Sequence, residues 1–205
     1  MNFASSAAAV AVAPSDNVAP DSDAGRIRTQ IMDLVAEYHR VAHTPKPFVA
    51  GQSPVPVSGK VYGHEEMQLL VDSALDFWLT TGRFNTEFEG KLAARLGVKH
   101  LLTTNSGSSA NLLALSSLCS PYLRGDALQP GDEMITVATG FPTTINPALQ
   151  YGLVPVFVDV DLPTYNIKPE MIEAAITPRT RVIMIAHTLG NPFNLAEVMR
   201  VAEKY

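Results

Sequence analysis

The sequence predicts an α/β fold, a mostly parallel sheet with helices on both faces. Two observations carry that expectation. From residue 98 onward, strand-like and helix-like runs alternate, as they do in βαβ chains. The strand runs, VPVFVDV (154–160) and RVIMIA (181–186), are apolar almost without interruption, which suits strands covered on both faces. The helical stretches between them supply the crossovers that parallel neighbours require.

Taken in order, residues 1–24 are rich in Ala, Ser, Pro and Asp and read as a disordered tail. The first basic residue is Arg26, so the positive start of an export signal is missing. Residues 25–43 predict an amphipathic helix, with Ile27, Ile31, Leu34, Val35 and Tyr38 on one side. Residues 46–63 are broken by proline and glycine and read as a structured loop. Residues 64–79 predict a second helix, with Leu70, Ala74, Phe77 and Trp78 facing inward. A third helix starts at an Asn85 N-cap and ends at Leu96, with Gly97 just past its end. Residues 25–97 thus form an N-terminal helical segment and loop.

Residues 98–205 form the α/β part. Strands are expected at 100–103, 133–138, 154–160 and 181–186, and helices at 108–118, 143–151, 169–175 and 194–205. The last helix meets no stop signal, and an alternating chain would place a strand next. The α/β domain therefore reads as incomplete, the N-terminal part of a longer protein.

Composition narrows the function classes. The 205 residues are 46% apolar and 17% charged, which excludes disorder over most of the length. No apolar run approaches the roughly 20 residues of a membrane span. The net charge is −5 and no basic cluster is large enough for nucleic acid. Cys119 is the single cysteine, so this chain alone builds neither a disulfide framework nor a multi-cysteine metal site. A lone cysteine fits a cytoplasmic address.

Three strand-end motifs can carry chemistry. In TNSGSSAN (104–111) a Ser/Gly turn leads directly into a helix. Backbone N–H groups at a helix N-terminus attract anions, most naturally a phosphate. Gly107 permits close approach, and Ser106, Ser108 and Ser109 add hydroxyl donors. The same pattern also fits a plain serine-capped turn. It is neither a P-loop nor a GxGxxG turn. In ATGFPTTIN (138–146), Phe141 falls at the C-terminal edge of the sheet, where open α/β folds bind ligands. Its ring can stack on a flat heterocycle there, although core packing is the commoner fate of phenylalanine. His187, after the 181–186 strand, can reach the same crevice, while lone histidines are more often structural. His39 and His43 stand i, i+4 without an HExxH glutamate and read as a solvated helix face. Asp159 and Asp161 read as caps of the turn at Pro163. No metal ligand is assigned.

These motifs, in this order, resemble the start of the DegT/StrS-type sugar aminotransferase family. The carriers are TGRFNTEFE (81–89), NSGSSA (105–110), PVFVDVD (155–161), TYNI (164–167) and AITPRT (175–180). The resemblance covers residues 26–205 and implies the large domain of a fold-type-I pyridoxal-phosphate-dependent transferase. Four further segments, FVAGQSPVPVSGKVYG (48–63), LDFWLTTGRF (75–84), ATGFPTTINP (138–147) and AHTLGNPFNL (186–195), are similar to the RfbH-like branch. Those are CDP-4-keto-6-deoxy-D-glucose 3-dehydrases of lipopolysaccharide 3,6-dideoxyhexose synthesis. The branch implies pyridoxal/pyridoxamine 5′-phosphate, a 2Fe–2S cluster, a nucleotide-linked keto sugar, a flavin iron–sulfur reductase and a homodimer. A histidine replaces the family's Schiff-base lysine. Gly107, Ser108 and Ser109 match the phosphate-binding turn, Phe141 the aromatic that stacks on the pyridine ring, and His187 a strand-end position near the cofactor. Cys119 matches no cluster ligand. On this resemblance the cluster cysteines and the histidine-or-lysine position fall after Tyr205. A lysine-dependent aminotransferase therefore stays open, as does a non-catalytic truncated product, and the 205 residues alone are expected to lack turnover.

Overall fold

The computed structural model describes residues 18–205. Residues 1–17 of the expected tail lie outside the described residues, and Asp23 and Ala24 already belong to the first helix. The chain divides into two compact units, Met1–Leu102 and Thr103–Tyr205.

The first unit carries α1 (Asp23–Ala42), α2 (His64–Leu75) and α3 (Arg83–Leu96). Ser22 caps α1 by accepting the Gly25 N–H at 3.0 Å. Gly25 must be glycine, because a Cβ there would meet the Ala19 carbonyl oxygen at 2.3 Å. The apolar stripe of α1 is less buried than its periodicity predicts, with Ile27, Leu34 and Tyr38 exposed. Charge ties the three helices together instead. Arg28 on α1 and Arg83 on α3 both reach Asp72 on α2 and Asp76 at its C-cap. The Asp76 side chain is only 7% exposed, so two guanidinium groups offset its desolvation. Donation from Arg83, opposed by burial and reinforced by Arg28, holds the Asp76 carboxyl below its ordinary range.

Three expectations need correction here. α2 stops at Leu75 rather than 79, because Phe77 adopts a left-handed φ of 48° that a helix cannot continue through. Leu70, Ala74, Phe77 and Trp78, expected to face inward, are all exposed. The N-cap of α3 is Gly82, so Asn85 sits inside the helix; Gly97 does end it, with φ 68°. The histidine face is not simply solvated either. His39 stacks on His43 with centroids 5.4 Å apart, and Tyr62 lies edge-on to both. Among the described residues no cluster of histidine, cysteine or carboxylate side chains is arranged to hold a metal ion.

The second unit holds α4 (Gly107–Leu118), β1 (Glu133–Val137), α5 (Pro142–Gln150), β2 (Val154–Val158), α6 (Pro169–Ala175), β3 (Thr180–Ile183) and α7 (Leu195–Lys204). The strands form one parallel sheet in the order β2–β1–β3. All five residues of β1 are buried. Strand alternation then sorts the core. Met134 joins Leu115, Ala148 and Leu153 beneath α4 and α5, while Ile135 and Val137 join Ile172, Val198 and Val201 beneath α6 and α7. The expected parallel sheet with helices on both faces is what forms. Residues 100–103, expected as a strand, are not a strand of the described sheet, which consists of β2, β1 and β3.

Two polar features mark β1. Glu133, 3% exposed, accepts from the Thr177 hydroxyl at 2.6 Å, from Arg179 Nε and Nη2 at 3.0 and 2.6 Å, and from the Thr180 hydroxyl at 3.2 Å. Thr177 first, then Arg179, hold its carboxyl below the usual range. This clasp sits where the β1–β3 register shifts between Glu133 and Met134. The Thr136 hydroxyl, by contrast, is fully buried and has no partner among the described residues. On the outer side of β3, a trough of about 620 Å³ runs beside α7, lined by Ile183, Ile185, Phe193, Leu195, Met199 and Tyr205. No helix among the described residues is long and apolar enough to cross a membrane.

Thr136→Val keeps the shape and removes the unpaired hydroxyl, so it is expected to raise unfolding free energy by about 1 kcal/mol in urea melts; a lower midpoint would show an unrecognised partner for that oxygen. The pH dependence of the first unit follows from Asp72 and Asp76. For Asp72, burial raises the pKa, but Arg83 and Arg28 outweigh it, and both carboxyls lie below their ordinary 3.8. Their contribution is therefore complete above that pH and fades as the pH falls through the lower folded values. Asp76→Asn should flatten the acid side of the α1–α2 melting profile, read by helical circular dichroism between pH 5 and 2.

Candidate cofactor site

Parallel strands align their C-terminal ends, and open α/β sheets bind ligands at that edge. The loops after β1 and β3 both emerge there, the first bearing Phe141 and the second His187.

α4 starts from Ser106, whose extended backbone turns the chain and whose Oγ accepts the Ser109 N–H at 3.2 Å. The serine cap is real, yet it satisfies only one of the first N–H groups. Gly107 and Ser108 are the first two residues of the helix, whose N–H groups have no intrahelical carbonyl to bond. A Cβ at Gly107 would find nothing within 4 Å, so the approach to these amides is open. A groove of about 160 Å³ continues from the helix start toward α5, lined by Ser108, Ser109, Thr143, Asn146 and Gln150 along with apolar Leu112 and Pro147. It offers hydroxyls and amides and no carboxylate. That donor set fits a phosphate group, with the positive end of a 12-residue helix behind it.

Helix α5 is fixed against α4 by two side chains the sequence reading does not single out. The Asn111 amide donates to the Thr143 carbonyl at 3.3 Å, and the Tyr151 hydroxyl donates to Ser116 Oγ at 2.7 Å. Pro142 at the first helical turn presets the backbone. Phe141 is the N-cap and is 74% exposed, so it is not the core phenylalanine that composition alone favours. An exposed ring at the start of a helix that lines a phosphate-compatible groove suits a flat heterocycle carrying a phosphate.

His187 lies four residues past the end of β3. Its ring stacks on Phe193 with centroids 4.1 Å apart, and its Nδ1 accepts the Phe193 N–H at 3.2 Å. That bond leaves Nε2 to carry the ring proton. Cys119 caps the C-terminus of α4, half-buried, where burial and then the Asp132 charge push its thiol up and away from reactivity. Asp161 does cap its turn, accepting from the Thr164 hydroxyl at 3.2 Å.

Comparison with known proteins gives these residues a context. The DegT/DnrJ/EryC1/StrS aminotransferase family matches residues 61–205. The lipopolysaccharide biosynthesis protein RfbH of Salmonella typhimurium is 65% identical over 89% of this chain and 42% of its own length. A dTDP-4-dehydro-2,6-dideoxy-D-glucose 3-dehydratase of Saccharopolyspora spinosa is 51% identical over 87% of this chain and 38% of its own. A solved GDP-4-keto-6-deoxymannose-3-dehydratase with a trapped PLP–glutamate geminal diamine is 33% identical at a TM-score of 0.67, covering 74% of this chain and 39% of that one. The chain thus spans about two fifths of the length of these two curated relatives.

Inorganic phosphate titrated into the labelled chain is expected to shift the amide signals of Gly107 and Ser108 before any others, and Gly107→Glu, which places a carboxylate among those donors, should abolish the shift.

Proposed function

Because this chain belongs to the DegT/DnrJ/EryC1/StrS aminotransferase family, we propose that it builds one wall of a vitamin B6-phosphate site in a nucleotide-sugar C3-dehydratase of lipopolysaccharide biosynthesis. The observation that carries the reading is a groove that runs from the open α4 N-terminus to the start of α5, the helix whose N-cap is the exposed Phe141. The identities to RfbH and to a sugar 3-dehydratase support the dehydratase direction. The substrate in this reading is a nucleotide-linked 4-keto-6-deoxy sugar.

When bound, pyridoxal or pyridoxamine phosphate supplies an electron sink that lets a sugar carbon lose its neighbouring hydroxyl. The residues here hold and orient. The N–H groups of Gly107 and Ser108, with the Ser108 and Ser109 hydroxyls, receive the phosphate. Phe141 would stack on the cofactor ring and shield it from water. His187, its ring fixed by Phe193, borders the same sheet edge from β3. The 2Fe–2S cluster, the flavin iron–sulfur reductase, the homodimer and the cytoplasmic address belong to the same proposal. Cys119 has no part in it as a cluster ligand. No residue of this sequence matches the family's catalytic base, and in this reading the 205-residue chain alone does not turn over substrate.

Pyridoxal 5′-phosphate should bind the chain, followed by its absorbance and by protein fluorescence quenching, at least tenfold more tightly than pyridoxal. Phe141→Ala should weaken it by up to about tenfold, the ~0.5–1.5 kcal/mol of an aromatic contact. Equal affinity for pyridoxal and its phosphate would remove the basis for the assignment.

A further inference from the structure

We propose that Asn166 is a positioning residue for the cofactor site, a buried clip that fixes the loop after β3. This rests on reading the C-terminal edge of the sheet as the cofactor side.

Asn166 is 4% exposed, and its amide is engaged at both ends by one distant loop. Its Nδ2 donates to the Asn191 carbonyl at 3.0 Å, and its Oδ1 accepts the Thr188 N–H at 3.1 Å. Asn191 returns a contact, its Nδ2 donating to the Thr164 carbonyl at 3.4 Å. The loop so held, residues 187–191, contains Leu189 in a left-handed conformation, φ 54° and ψ 29°, with 95% of its surface exposed. A branched apolar residue in that conformation is strained and gains nothing from burial there. The two Asn166 bonds are interactions that hold the loop in that conformation.

The side of the clip is preorganised as well. Tyr165, immediately before Asn166, is also left-handed at φ 56°. The Tyr165 N–H donates to the Asp161 carbonyl at 2.7 Å, the Asp161 N–H to the Asn166 carbonyl at 2.9 Å, and the Asn166 N–H to the Thr164 hydroxyl at 3.3 Å. These bonds turn the Asn166 side chain inward before it meets its partners. Two strained residues, one on each loop, are joined by one amide that uses both its donor and its acceptor. Only asparagine provides both at that reach. Aspartate keeps the acceptor for Thr188 but sets a charge against the Asn191 carbonyl, and alanine loses both bonds. The function served is to hold His187 and Leu189 in place at the C-terminal edge of the sheet.

The test uses the 205-residue chain with Asn166→Asp, Asn166→Ala and a core control, Val201→Ala, which destabilises without touching the clip. Amide hydrogen exchange and pyridoxal 5′-phosphate titration are read on each. In the wild type the Thr188 amide should exchange slowly although its loop is exposed. Both Asn166 variants should speed exchange across residues 187–191 at least tenfold, leave Gly107–Ser109 and β1 as they were, and weaken the cofactor at least fivefold with an altered absorbance band. Val201→Ala should lower the melting temperature and leave the band unchanged. Should Asn166→Ala fail to fold, the isosteric aspartate and the wild-type Thr188 rate decide alone. Unchanged loop exchange in Asn166→Asp, or a Thr188 amide exchanging at the unprotected rate, overturns the clip while leaving the cofactor reading intact. A cofactor affinity and band unaffected by a loosened loop overturn the positioning role. A wild-type chain that binds no pyridoxal phosphate overturns the cofactor reading, and the positioning role with it, whatever the exchange data show.

Discussion

One constraint organises the second unit: β1 has no solvent-facing side. Its five residues are buried, so apolar cover is required above and below, and a strand is required at each edge. The α4–α5 pair and the α6–α7 pair satisfy the first demand, β2 and β3 the second. Because all three strands are parallel, meeting these demands also delivers the loops after β1 and β3 to one edge. The candidate site is a by-product of hiding β1. The opposite edge is spent on structure, where Glu133 gathers Thr177, Arg179 and Thr180 and locks the start of β3 to the start of β1.

The two units hold themselves together by different physics. The second relies on apolar layers. The first, whose α1 stripe is largely exposed, relies on a neutral quartet of two arginines and two aspartates. Charge pairs of this kind add geometric definition more than raw stability, since desolvation consumes much of the attraction. They fix helix angles in a segment whose apolar contacts alone would leave them loose.

What could be read from the sequence follows the range of the interaction. The β1, β2 and β3 runs, and the start of α4 near Ser106, depend on neighbours a few positions away, and the residues announce them. The end of α2 was illegible because a left-handed Phe77 is not written in helical periodicity. The 100–103 run looked like a strand because apolar sequence does not specify a ladder partner. Gly107, Ser108, Ser109 and Phe141 were visible through turn chemistry and through resemblance to a family. Asn166 was not, since its partners lie 22 and 25 residues away and nothing local distinguishes it from a turn asparagine. Asn111, which ties α4 to the start of α5, was hidden for the same reason.

The register shift at the start of β3 has a consequence beyond the clasp it accommodates. β3 is an outer strand of the described sheet, and its flank opens on an apolar trough. A flat outer strand with such a flank invites another chain to add itself, strand on strand. Here the irregularity bends the ladder at its beginning, and Arg181 places an exposed cation on that stretch. Both are devices by which natural sheets discourage unwanted templating. The start of β3 thus combines the internal Glu133 clasp with two features, the register shift and the neighbouring Arg181, of the kind that disfavours strand addition at a sheet edge.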